Sequence, residues 1–484
     1  MHKRFLGAFA AVGLMLATAS SAFAEPNAAD ILGETALQNL LERTAPVNVA
    51  EGAALPSFIT DPSWPKILPN NWTFGQIAGV YVDSDDHIWL LQRPRSLSNE
   101  EAGLLDAVGK NADGADVSGL GHPRPFGPTT DCCQPGPALM EFDQEGTLLR
   151  AWGGPGDPAW MEAKCREEDG CYWPANEHGL YIDHNGFIYI GSNGTGNGST
   201  PWASTNGVDG HILKFTKDGD FVLQIGMPGE LTPASNDTNG GINGTPQLMR
   251  PADMTVDPET NLLYVADGYG NNRVVVVNAE DGQYVGHFGA YGQNPVDDDL
   301  ADNSGLFVED FERGDLNPKF FRNPVHCVKI ADDGLLYVCD RGNNRVQIFN
   351  KAEVGGVCTN ADGSVGQCGY VGELKASVAT RTTIPGTAVT VNFSNDDNQS
   401  CLYVGDNSNM TIYVVNRETL GELGRFGRFG QGTGDFHWLH NVATDSHGNL
   451  YTGEVDTGKR PQKFVRYGEV GCSGEGHSTI GGAY

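Results

Sequence analysis

One pattern recurs six times along the 484 residues: an alternating apolar strand ending in Asp or an equivalent, a polar turn, and a second alternating apolar strand. The six segments are 79–93, 178–193, 252–278, 325–350, 387–416 and 440–455. Two runs of period two joined by a Gly, Asp or Asn turn predict a β-hairpin. In the third and fourth segments the string GNNRV recurs letter for letter and leads into a further strand. A hairpin with one polar face cannot bury its apolar face alone, so repeated hairpins must close on one another. A ring of radially arranged small sheets does this without leaving long open edges. The expected fold is therefore all-β, a six-bladed β-propeller over residues 71–470 with a short N-terminal helical extension.

Spacing between segments shortens along the chain, which puts the large insertions early, at 94–140, 194–210 and 291–320, as loops on one rim. Within an N-terminal extension of 25–70, residues 27–44 carry Ile31, Leu32, Leu37, Leu40 and Leu41 at the spacing of an amphipathic helix lying outside the ring. Residues 471–484 are read as a tail. With 65 glycines placed in turns between β-branched runs, composition agrees with turn-rich β structure. A formal charge of -30 excludes nucleic acid and anionic membrane surfaces as partners.

Residues 1–24 read as a signal peptide: a basic start at His2, Lys3 and Arg4, an apolar stretch, and the small-residue end Ala22-Phe23-Ala24. A periplasmic or secreted protein follows, and its 10 cysteines are expected in disulfides. Cys165 with Cys171 and Cys358 with Cys368 are close enough to clip loops, Cys327 and Cys339 flank two adjacent strands, and Cys132 and Cys133 belong to different bridges.

Aligning the hairpins on their first buried apolar residue (Val80, Leu180, Met254, Val328, Val389, Val442) exposes a column two positions earlier. It reads Ala78, His178, Ala252, His326, Thr387 and His440. With 12 His in 484 residues, six positions should hold about 0.15 by chance, yet they hold three, in alternate units. Alternate blades of a six-fold ring are about 120° apart, so the three imidazoles converge on the axis. Three neutral imidazoles suit a borderline cation such as zinc with an open position for water or substrate. Strand ends around the same mouth supply Arg93, Tyr269 and Arg341. Guanidiniums can hold a carboxylate in bidentate fashion, and a phenol beside a cation can act as a base. Their structural alternatives are inter-blade salt bridges for the arginines and a hydrogen-bonded turn for the tyrosine. Arg273 and Arg345, inside GNNRV, fall to that structural role.

The strings DGYGNNRVV and DRGNNRVQIF resemble NHL repeats. Together with HGL at 178–180, DGY at 267–269, a VH followed by a DR strand, and the late LH at 439–440, the pattern over most of 72–468 resembles the peptidyl-α-hydroxyglycine α-amidating lyases. The resemblance implies zinc on His178, His326 and His440, with Arg93 and Arg341 engaging the acid group of a carboxylate-bearing N-(hydroxyalkyl) amide. It gives Tyr269 the hydroxyl proton as the C–N bond breaks to an amide and glyoxylate. It further implies a structural calcium on the carbonyls of Val80 and Leu180 and an aspartate at a position that here is Asn441, whose neutral amide weakens the site. Trp438 stands where the family has Met, and Gly270 replaces a Cys that tethers the tyrosine loop, so a reshaped pocket and a small-molecule or peptide-derived substrate are expected. Two other readings compete: a calcium-dependent lactonase of the regucalcin-like group, and a non-catalytic propeller binding a partner or glycan on its rim.

Overall fold

The computed structural model describes residues 37–98, 101–102, 133–195, 207–295, 320–351, 369–375 and 387–478. It contains six four-stranded antiparallel sheets and one two-stranded pairing of Trp72–Thr73 with Gln134–Pro135. The first five sheets each follow chain order. Their strands are Gln76–Val82, Ile88–Arg93, Leu139–Phe142 and Leu148–Trp152 in blade 1, and Glu177–Ile182, Ile188–Ser192, His211–Phe215 and Phe221–Gly226 in blade 2. Blade 3 has Asp253–Asp257, Leu262–Asp267, Arg273–Asn278 and Tyr284–Phe288; blade 4 has Val325–Ile330, Leu335–Asp340, Arg345–Asn350 and Tyr370–Lys375. Blade 5 has Thr387–Phe393, Cys401–Asp406, Thr411–Asn416 and Glu422–Phe426. The first strand of each blade touches that of the next, and the sixth touches the first, which makes these strands the inner wall of a closed ring.

Blade 6 is built from both ends of the chain. Leu439–Thr444, Leu450–Glu454 and Pro461–Ser473 supply three strands, and Ala54–Asp61 pairs antiparallel with the last of them as the outermost strand. Residues 54–61, read from sequence as part of an extension outside the ring, thus belong to the sheet that closes it. The mixed strand AlaLeuProSerPheIleThrAsp has no hairpin partner nearby in sequence, so its pairing is invisible to local pattern. Residues 37–44 are helical and rest on this closure, with Thr44 Oγ1 donating to the Phe58 carbonyl at 2.5 Å and Arg43 3.0 Å from Asp435. The remainder of the expected helix, the signal segment 1–24 and most of the large insertions lie outside the described residues.

Six apolar clusters fill the ring, each between two adjacent blades; Trp89, Leu139, Ile188 and Leu213, for example, join blades 1 and 2. The aspartates that end the first strands explain the turn chemistry. Asp183 Oδ1 accepts the Asn185 and Phe187 amides at 2.9 Å, while Oδ2 accepts the buried Tyr189 hydroxyl at 3.1 Å. Asp445 repeats this with His447, Asn449 and Tyr451, and Asp83 does so with His87 and the Trp89 indole. One carboxylate therefore fixes the turn and satisfies a core polar group.

Disulfides join Cys165 to Cys171, Cys327 to Cys339 and Cys401 to Cys472. The first two match the expected pairs; the third, between the second strand of blade 5 and the third of blade 6, was not anticipated because it spans 71 residues. Cys132, Cys358 and Cys368 lie outside the described residues. Three disulfides point to an oxidising, extracellular compartment. Among the described residues no helix is long and apolar enough to cross a membrane.

Candidate metal centre

His178, His326 and His440 come together. Their candidate ligand atoms lie within 4.8 Å of one another and all three residues are buried. Ring centroids are 4.9, 4.7 and 5.0 Å apart with steep interplanar angles of 68°, 69° and 80°. Irregularities in the inner strands aim them. The ladder shifts between Glu177 and Leu180, between Val325 and Cys327, and between Leu439 and Asn441, so each His sits on a bulge that re-aims its side chain.

The intervening blades then orient the rings. His178 Nδ1 donates to the Ala252 carbonyl at 2.6 Å, His326 Nδ1 to Val389 at 2.6 Å, and His440 Nδ1 to Ala78 at 2.9 Å. With every Nδ1 committed as donor, every Nε2 is left as an acceptor at the axis. His326 Nε2 is buried and has no hydrogen-bond partner. Burial above all, then the surrounding imidazoles and guanidiniums, pushes the three imidazoles well below the ordinary histidine range, which keeps them neutral. A buried acceptor with nothing to accept is costly unless something else completes it. The donor set fits a metal ion of the zinc type: three neutral nitrogens, each with its other nitrogen fixed by a carbonyl.

Tyr269 lies against this centre, its hydroxyl 3.1 Å from His178 Nε2 and its ring 5.1 Å from that imidazole. Arg341 Nη1 donates to the same hydroxyl at 3.3 Å, and Nη2 reaches Asn407 Oδ1 at 3.5 Å. Arg93 is buried, with Nε donating to the Glu177 carbonyl at 2.6 Å and Nη1 to Gln76 at 2.7 Å. Among the described residues neither Arg93 nor Arg341 forms an ion pair with a carboxylate. The inter-blade salt bridge expected as their structural alternative is absent there. Arg273 and Arg345 do form pairs, but within their own blades, 2.9 Å from Asp267 and 2.7 Å from Asp340.

Sequence reasoning missed Arg250, whose guanidinium carbon is 5.2 Å from the Tyr269 ring centroid and whose Nη1 donates to the Tyr269 carbonyl at 3.4 Å. The Asn323 amide donates to that carbonyl at 2.8 Å. A signal existed, since Arg250 stands two residues before column position Ala252. The loop tether absent at Gly270 is replaced by packing, because a Cβ there would fall 2.2 Å from Met249 Cγ. Trp438 adopts φ 62° and packs against the core between blades 5 and 6.

Of the calcium residues, Val80 and Leu180 lie on touching inner strands, and Asn441 Nδ2 donates to the Ala78 carbonyl at 2.7 Å. Two backbone carbonyls and a neutral amide lack the charged oxygen that calcium favours, which weakens the site. A second cluster, Asp83, His87 and Glu141, is compensated by protein cations: Lys217 is 2.8 Å from Asp83 and Arg150 is 3.1 Å from Glu141.

The NHL repeat family matches residues 248–277 and 325–349. The chain is a six-bladed propeller in which two segments match the NHL repeat, and part of it is similar to the amidating enzymes. NHL repeat-containing protein 3 of Mus musculus is 27% identical over 220 residues, 44% of this chain and 46% of that protein. Peptidyl-glycine alpha-amidating monooxygenase B of Xenopus laevis is 31% identical over 101 residues, 21% of this chain and 9% of that protein. This chain thus spans less than half the length of either relative. A solved streptogramin B lyase aligns over 85% of this chain and 98% of its own at 11% identity, with a TM-score of 0.40, a likeness too loose to carry an argument.

Proposed function

We propose that this protein is a secreted, zinc-dependent lyase that breaks the C–N bond of a hydroxylated amide bearing a carboxylate, as in an N-acyl-α-hydroxyglycine. The observation that carries the reading is the set of three axial imidazoles whose Nδ1 atoms are all spent on backbone carbonyls. His178, His326 and His440 would hold the ion, which when bound supplies Lewis acidity toward a substrate oxygen.

The chain's own groups supply the rest. Arg93 and Arg341 lie half a ring apart, in blades 1 and 4, and engage the substrate acid group, fixing the hydroxylated carbon beneath Tyr269. The Tyr269 oxygen, held by Arg341 Nη1, takes the hydroxyl proton. As the C–O bond becomes a carbonyl, the C–N electron pair leaves with nitrogen, which collects that proton to give the amide, and glyoxylate is the second product. Asn323 and Arg250, both donating to the Tyr269 carbonyl, keep its loop in place.

Incubating the protein with an N-acyl-α-hydroxyglycine and measuring glyoxylate tests the reading. Release at a rate well above the spontaneous reaction, abolished by chelation and restored by zinc, is the expected result. Turnover unaffected by chelation, or none from metal-loaded protein, overturns it.

A further inference from the structure

Around Tyr269 and the imidazole triad the chain places more positive charge than one carboxylate requires. Arg250 adopts φ 58°, a left-handed conformation uncommon outside glycine. Its amide donates to the Asp209 carbonyl at 2.8 Å, and its own carbonyl accepts from Tyr269 N at 3.3 Å. This backbone turns the side chain back over the Tyr269 ring.

Arg250 and Arg93 meet on one residue. Arg250 Nε donates to the Asn193 carbonyl at 2.9 Å, and Arg93 Nη2 lies 3.5 Å from Asn193 Oδ1. Two guanidiniums from blades 1 and 3 are thereby gathered beside blade 2, separate from Arg341, which approaches the Tyr269 hydroxyl from blade 4. Nearby carboxylates, Asp209, Glu177 and Asp456, act on them only from a distance, without direct contact. Asp209 spends its oxygens on the Ala175, Asn176 and Gly194 amides, and Glu177 Oε1 takes the Trp173 indole at 2.7 Å. Among the described residues none of the three arginines forms a carboxylate ion pair, in a chain of net charge -30. Arg93 is buried, Arg250 and Arg341 are half-buried, and none has a carboxylate in contact, so the cluster marks a place where a ligand can supply one.

We propose that the site selects ligands with two separated carboxylates, the acid group that Arg93 and Arg341 engage and a second one held by Arg250 beside Arg93 over Asn193, with Arg250 as the specificity-determining residue. This rests on the lyase reading for its substrate class. The double-acid preference itself needs no turnover.

Calorimetric titration of the full chain with glutarate and with pentanoate, which differ only in the second carboxylate, tests it. Glutarate should bind at least about tenfold more tightly, equivalent to about 1.4 kcal/mol. Arg250→Gln should reduce that ratio to near one, and Arg250→Lys should recover part of it. Equal binding of the two acids by the wild-type chain overturns the proposal, as does a preference that survives in a folded Arg250→Gln variant. If glyoxylate is released from an N-acyl-α-hydroxyglycine but the acids bind equally, the lyase reading stands and the two-acid site fails. A glutarate preference without turnover has the reverse meaning.

Discussion

Arg273 and Arg345 are wholly buried on the third strands of blades 3 and 4, each with Nε on an aspartate and the other guanidinium nitrogens on nearby oxygens. Arg93 and Arg341 act on the imidazole triad and Arg250 lies over the Tyr269 ring; all three hold only carbonyl, amide or phenol oxygens. The first pair completes its charge within a blade and so serves the fold. The second group has no carboxylate in contact, which leaves its guanidiniums open to an anion that is to be bound. The same residue type thus divides into structure and function according to whether a carboxylate has been placed beside it.

The sharpest way to break this comparison is to remove one member of each set. Arg273→Met strands Asp267 without its cation, and denaturant unfolding should show a loss of about 3–5 kcal/mol. Tyr269→Phe removes the proposed proton acceptor and should slow glyoxylate release about 100- to 10,000-fold, read by steady-state kinetics on metal-loaded protein. Arg341→Met removes no carboxylate partner. It should lower turnover strongly yet change unfolding free energy by less than about 1 kcal/mol, and a loss as large as that of Arg273→Met would erase the distinction.

Buried imidazoles extend the contrast in the smallest expected effect. His211 lies off the axis, with Nε2 2.6 Å from the Tyr172 carbonyl and Nδ1 without a partner, and burial lowers its affinity for a proton. Below about pH 6.5 the unfolded chain protonates this residue while the folded chain resists, so stability falls as pH drops through that range. In His211→Gln the fall in Tm between about pH 7 and 5 should be shallower, which thermal unfolding across that range measures.

Much of the site was legible because the repeat supplies its own ruler. Once hairpins are aligned on Val80, Leu180 and their equivalents, the histidines at 178, 326 and 440 fall in one column, and ring symmetry turns a column into a point. The strand-end residues Arg93, Tyr269 and Arg341 are legible for the same reason. Arg250 is not, since its approach to Tyr269 depends on a left-handed backbone in an inter-blade loop. Ala54–Asp61 was missed because ring closure pairs it with a strand at the other end of the chain, and Cys401–Cys472 because pairing across blades leaves no mark in spacing. The calcium residues were carried by resemblance alone.

The central claim is that the three axial imidazoles jointly hold one ion. Elemental analysis of the purified full chain after zinc reconstitution and desalting, beside His326→Ala treated identically, tests it most directly. The account predicts about one zinc per chain in the wild type and near none in the folded variant. Wild-type protein that retains no metal, or a variant that retains all of it, would contradict the account.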